Sequence, residues 1–196
     1  MKNRFVQNAL WAMVDKFVVL FGSLIAYVLV SKYLGPEKFG VFAFGVTIST
    51  LGVTISQWGA NHVVFNLAVK NTRVASKVMF SSEATRLRIY VAFWGVSSLV
   101  LYFYLGKGDD FLILSLLIAS HVFVALDVYQ FYLEGSLNAK INARSNMLAR
   151  ALSTLLRVAM VFLSLKSIWF VFPYLINNLV IFFRRRCYVK KSHSHI

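Results

Sequence analysis

Charge is scarce in this chain of 196 residues: only 14% of positions are Asp, Glu, Lys or Arg, and only seven of those are acidic. An average soluble domain carries about 25% charged residues. Cys187 is the sole cysteine, so an intramolecular disulfide is excluded, as is a zinc site built on paired cysteines. There is no Walker A loop and no His-Glu-x-x-His, and no soluble-enzyme motif replaces them. Met1-Lys2-Asn3-Arg4 precedes an apolar stretch, as in a signal peptide, but no small-residue cleavage site follows; a retained first helix is expected.

Apolar residues fill the space that charge leaves. They make up 59% of the chain, and mean hydropathy is +0.68. A soluble domain of this size has too small a core to hide so much apolar surface; such domains are usually about 45–50% apolar. Charge is missing altogether from Phe39 to Val69, from Ile89 to Gly106 and from Ser167 to Phe183. Uncharged runs of about 17–25 residues are long enough to cross the hydrocarbon of a bilayer. The expected fold is all-α, a polytopic membrane bundle of about six helices near 10–33, 41–60, 89–106, 111–133, 148–165 and 167–183. Residues 1–183 form the bundle and 184–196 a basic tail. Pro173 is expected to kink the sixth helix.

The net charge of +14 does not indicate nucleic acid, because the basic residues sit in the gaps between apolar runs. With the N-terminus inside, 15 Lys and Arg fall on the cytoplasmic side and 4 outside. That bias places both termini in the cytoplasm. The longest connection, Asn61 to Arg88, is then cytoplasmic and is expected to carry a surface helix. The tail histidines, His193 and His195, suit a solvated end better than a metal site, and no metal or cofactor is expected.

Gly45, Ser49, Gly52, Ser56 and Gly59 recur at helical spacing, leaving one face of the second span nearly bare for a neighbouring helix. Charges inside the spans are more informative, because each costs about 2.5–3.5 kcal/mol at a helix centre and must face protein or water. Asp15 and Lys16 lie in the first span, Asp127 in the fourth and Arg157 in the fifth. Asp127, Gln130 and Glu134 share a face at i, i+3 and i+7; Arg150, Ser153, Thr154 and Arg157 form a polar face on the next helix. The short link between these helices suggests Asp127–Arg157 and Glu134–Arg150 pairs. These pairs either fix packing or border a polar cavity for an anionic, hydrophilic group. His121 reads as a neutral packing residue. Asn177 and Asn178 either bond across helices or line a cavity.

Two segments carry a family resemblance. Asn8-x-x-Trp11-x-x-x-Asp15-Lys16, followed by Leu34-Gly35-Pro36-Glu37-Lys38-Phe39-Gly40, resembles the start of bacterial O-antigen and polysaccharide flippases. These are the Wzx-type members of the multidrug/oligosaccharidyl-lipid/polysaccharide exporter superfamily. Asp127 through Glu134, with Lys140 and Arg157, is similar to the fourth and fifth helices of the same proteins. The resemblance implies one bundle of a MATE-like two-bundle fold in the bacterial inner membrane. It also implies translocation of an undecaprenyl-diphosphate-linked oligosaccharide, with no covalent chemistry. Asp15, Lys16, Asp127, Gln130 and Arg157 become substrate-cavity candidates. Since the family has two similar bundles, the chain is expected to be a truncated product or a half-transporter, partnered by lipid and by a second six-helix half or further copies of itself. Other classes left open are a non-transporting subunit or inactive remnant of polysaccharide assembly, and a membrane polymerase or glycosyltransferase.

Overall fold

A computed structural model describes residues 2–193; Met1 and the tail residues Ser194, His195 and Ile196 lie outside the described residues. The described chain is all-helical: α1 (Lys2–Gln57), α2 (Ala60–Lys70), α3 (Thr72–Ser81), α4 (Glu83–Leu105), α5 (Asp109–Ser120), α6 (Val122–Leu126), α7 (Tyr129–Gly135), α8 (Ala139–Phe162) and α9 (Phe172–His193). A 3-10 turn, Ser167–Val171, precedes α9.

The long α1 is two arms joined by a reversal at Gly35, whose φ of 76° and ψ of 168° leave the helical region. Glycine adopts such a φ without the clash a Cβ would bring, and Pro36 opens the second arm, where its missing N–H costs nothing. The rings of Tyr27 and Phe39 meet edge to face at 6.0 Å. In a straight helix, residues twelve apart would be separated by about 18 Å. The first arm climbs alongside α8: Asn8 touches Ala139, Asp15 touches Asn146, Gly22 approaches Arg150 and Tyr33 reaches Leu165. The second arm descends alongside α5 and α6, from Lys38 against Asp110 to Gln57 against Val124. At the turn end, the hydrogen bond from Lys38 to Asp110 (2.6 Å) holds the ammonium above its ordinary pKa.

Four stretches are long and apolar enough to cross a membrane: Val6–Gln57, Thr72–Leu105, Asp109–Gly135 and Ser167–Lys191. The expected fifth span, 148–165, is not among them. Its helix, α8, starts earlier, at Ala139, and is amphipathic in the inverted sense. Asn142, Asn146, Ser153 and Arg157 are buried, while Leu148, Leu152 and Leu155 are exposed. Water would favour the opposite arrangement; an apolar surround favours this one. The expected cytoplasmic connection forms two short helices. Asn71 separates them and caps α3 by accepting from the N–H groups of Arg73 (3.0 Å) and Val74 (3.3 Å).

Two further expectations at the C-terminal end change. Pro173 produces no kink, because it sits in the first turn of α9, where the N–H it lacks has no intrahelical acceptor. Nor does the helix stop at Phe183. It continues to His193, with Asn178, Phe182, Arg185 and Val189 buried along one stripe. The basic segment from Arg184 to Val189 is therefore part of the packed bundle.

A polar cavity beside a broken helix

The sequence reads 111–133 as one span, but the chain breaks twice, at His121 and at Asp127-Val128. Each break frees backbone carbonyls that need partners away from water. Side chains supply them at Leu117 and Ser120, and add a second bond at Ile118, Val124 and Leu126, each of which also accepts a backbone N–H. The Tyr90 hydroxyl donates to the Ile118 carbonyl (2.7 Å), and His121 Nδ1 donates to that of Leu117 (2.9 Å). Asn178 donates to Ser120 (3.3 Å), Gln57 to Val124 (2.9 Å) and Arg86 to Leu126 (3.0 Å). Arg86 also donates to the Met79 carbonyl at 2.8 Å and is almost fully buried. It therefore stitches the end of α3 to the broken helix; in the sequence it reads only as a loop cation.

Beside the second break lies a cavity of about 350 Å³. The two arms of α1 contribute Asp15, Lys16, Val19, Val53 and Gln57, and the broken helix contributes Val124, Asp127, Gln130 and Phe131. Asn146 and Arg150 reach it from α8; Asn177, Asn178, Ile181 and Arg185 reach it from α9. Four of the five substrate-cavity candidates thus share one cavity. Arg157 is not among its lining residues. It lies two turns beyond Arg150, about 10 Å along the helix, with its guanidinium 4.7 Å from the centre of the Tyr174 ring.

The expected pairs are replaced by others. Asp127 pairs with Arg185 of α9, not with Arg157. Glu134 accepts from Gln130 (2.9 Å), not from Arg150. The physical reason is the second break: Asp127 sits in non-helical backbone, and the i, i+3, i+7 face that an unbroken helix would provide does not form. A polar chain crosses the bundle from there. Arg185 donates to Asp127 and to Asn146 Oδ1 (3.2 Å), and Asn146 donates to Asp15 Oδ1 (2.5 Å). Arg185 was hidden in the run Arg184-Arg185-Arg186, but its spacing from Asn178 and Phe182 marks the buried stripe.

Once Arg185 has neutralised Asp127, the cavity keeps one carboxylate, Asp15, and two cations, Lys16 and Arg150. Among the described residues neither Lys16 nor Arg150 has an ion-pair partner, and Arg150 Nε has no hydrogen-bond partner. With Arg157 deeper on the same face, the α8 side of the interior is cationic. This arrangement can hold an anion by charge-assisted hydrogen bonds. It offers no nucleophile paired with a base, and among the described residues no group of metal ligands occurs.

The small-residue face of the second arm points away from the cavity. A Cβ on Gly45 would lie 2.7 Å from Leu117, and one on Gly52 would lie 2.4 Å from Phe93. Ser49 and Ser56, on the same face, are buried, each bonded to its own helix backbone. Gly59 differs: nothing lies within 4 Å of a Cβ there, and its φ of 72° marks the turn into α2. Val53 is partly buried and faces the cavity, so it does not point to the surround.

Compared with known proteins, the chain matches no family model, no curated protein and no solved structure.

Proposed function

We propose that this chain is one six-helix bundle of an inner-membrane translocase for a lipid-linked oligosaccharide, its anionic diphosphate or acidic sugar met by the cationic interior. The observation that carries this reading is the cavity beside the broken helix, where the half-buried Arg150 and the exposed Lys16 outnumber Asp15, the one lining carboxylate that Arg185 does not pair. A hydrophilic glycan cannot cross hydrocarbon, and a polar cavity between moving helices gives it a path while the lipid tail stays in the bilayer. Discontinuous helices at membrane depth are tolerated where they border such a cavity. The count of six crossings is supported by the reversal at Gly35 and by the alternating directions of the segments that follow. Partners of the proposed complex are the lipid-linked glycan, the surrounding lipid, and a second six-helix half or another copy of this chain.

The test is surface-polysaccharide display in a flippase-deficient strain, with a second half supplied and membrane levels checked by blotting. Arg150→Gln is expected to lower display at least tenfold at an unchanged protein level, with Arg150→Lys retaining much of it because the charge is kept. Normal display by Arg150→Gln and by Arg157→Gln would remove the anion-binding reading. Normal membrane levels with no display by the unaltered chain would favour a non-transporting subunit.

Orientation has a built-in probe. Cys187 is the only cysteine and is exposed near the end of α9. A membrane-impermeant maleimide is expected to label it in inverted vesicles and not in intact spheroplasts. A Cys187→Ser, Glu37→Cys protein should reverse that pattern, and labelling of Cys187 from the periplasm would invert the proposed topology.

A further inference from the structure

A second cavity, of about 710 Å³, opens at the end of the bundle that holds the α7–α8 turn. Its lining is mostly polar. Trp11 enters it from α1 and Tyr188 from α9; Gln7, Asn8, Asn138 and Lys140 surround them. We infer that this cavity is a sugar-binding subsite, which takes a pyranose ring bearing a carboxylate against Trp11 and Lys140. The inference deepens the translocation reading and rests on it for why a glycan would be present, although binding itself can be measured directly.

The chemistry of the lining points to this ligand. A pyranose has one face of C–H groups and a rim of hydroxyls. The first suits an aromatic ring; the second suits planar amides that offer a donor and an acceptor side by side. Two amides here are already held in place. Asn8 Oδ1 accepts from the Ala139 N–H (2.8 Å), capping α8 from another helix and leaving the Asn8 amide nitrogen as a fixed donor. Asn138 Nδ2 donates to the carbonyl and the hydroxyl of Ser136 (3.1 Å each), leaving Asn138 Oδ1 as a fixed acceptor. Neither needs to be ordered again when a ligand arrives, so little side-chain entropy is lost on binding.

Charge selects the kind of sugar. The Lys140 ammonium lies 5.4 Å from the centre of the Trp11 ring, so cation and stacking surface are joined. No carboxylate lines this cavity. An acidic sugar would satisfy both groups at once, where a neutral one would satisfy only the ring. A bare anion would satisfy only the lysine.

The position fits as well. Along α1, Asn8, Trp11 and Asp15 fall on one face, and along α9 so do Tyr188 and Arg185. Both helices therefore run from this cavity to the one that Asp15 and Arg185 line. Asn8 and Asp15 stand seven residues apart, about 10 Å along the helix, which is the length of a short oligosaccharide. A lipid-linked glycan could thus meet the inner cations and the mouth subsite together.

The experiment is saturation-transfer NMR on the full chain in lipid nanodiscs, with glucuronate, glucose and inorganic phosphate as probes at millimolar concentration. Transfer to the ring C–H protons of glucuronate is expected, several-fold stronger than to glucose and not displaced by equimolar phosphate. Trp11→Ala should abolish it. Trp11→Phe, which keeps an aromatic face, should retain it and guards against a folding defect. Lys140→Gln should bring glucuronate down to the level of glucose. Equal transfer in the unaltered chain and in Trp11→Ala overturns the subsite, as does full displacement by phosphate, which would leave only a nonspecific anion contact. If glucuronate fails to bind while the chain restores polysaccharide display, the subsite falls and the translocation reading stands. If glucuronate binds as described while display is never restored, the reverse holds.

Discussion

Asp127→Asn is expected to cut the membrane level of this protein severely and to lower the temperature at which the purified chain loses its monodisperse form. The cause is Arg185, which is only 3% exposed and, among the described residues, has Asp127 as its sole ion-pair partner. Breaking a buried ion pair by removing one partner costs about 3–5 kcal/mol, because the remaining charge stays desolvated and unmatched. Arg185→Gln should do comparable damage from the other side and should also cut the link to Asn146. The double variant, Asp127→Asn with Arg185→Gln, removes both charges and should be milder than the sum of the singles, by about 1–3 kcal/mol of coupling. The comparison with Arg157 decides between two arrangements of the bundle. Asp127→Asn combined with Arg157→Gln should be additive to within about 0.5 kcal/mol. Strong coupling between 127 and 157, with additivity between 127 and 185, would mean that α9 does not continue as a packed helix past Phe183.

Gly52→Leu should be nearly as damaging, through packing rather than charge. The site has no room even for a methyl group, since a Cβ would stand 2.4 Å and 2.5 Å from two carbons of the Phe93 ring. Overpacking of this kind costs about 1–3 kcal/mol and more when the neighbour cannot move. Phe93 is held between the second arm and α4, where it leans on Tyr90, itself fixed by its hydrogen bond to Ile118. The matched control is Ile55→Leu, on the same helix but 52% exposed, where no change is expected. A compensating variant makes the cause specific: Gly52→Ala alone should lower thermal stability, and adding Phe93→Leu should recover most of the loss. Gly52→Leu tolerated as well as Ile55→Leu would show that the two helices do not approach this closely. Gly59, on the same sequence stripe, should respond differently. Nothing crowds it, and its substitution by Ala should cost about 1 kcal/mol through backbone strain at positive φ.

Those two sites mark how far residue spacing carries. The stripe from Gly45 to Ser56 was legible because close packing of helices requires small residues at a fixed repeat, and the repeat survives as long as the helix does. It failed at Gly59, where the helix had ended. The motif Asn8-x-x-Trp11-x-x-x-Asp15 was legible as one helix face, although its partner was not. All three residues turn out to touch the start of α8, by capping Ala139, by stacking under Lys140 and by accepting from Asn146. The partner of Asp127 is not legible in the spacing, because an unbroken fourth span would direct it to the next helix in sequence, whereas the break leaves it paired with α9. Arg185 and Arg86 do not stand out in the sequence, because a cation at the end of an apolar run looks the same whether it marks topology or enters the core.

What the sequence determined by itself was membrane character, the approximate places where the chain crosses from apolar to basic, the reversal at Gly35-Pro36, and a set of intramembrane charges that had to find polar surroundings. Each of these follows from local chemistry: the cost of charge in hydrocarbon, the length of an apolar run, the backbone freedom of glycine. What only the tertiary structure decided was where the fourth span breaks, which side chains satisfy the carbonyls it frees, and which arginine answers Asp127. Those outcomes depend on groups brought together from positions far apart in the chain, 58 residues in the case of Asp127 and Arg185. Their partners are chosen by three-dimensional proximity and by the cost of leaving buried polar groups without hydrogen bonds, and neither is expressed in the spacing of residues along one helix.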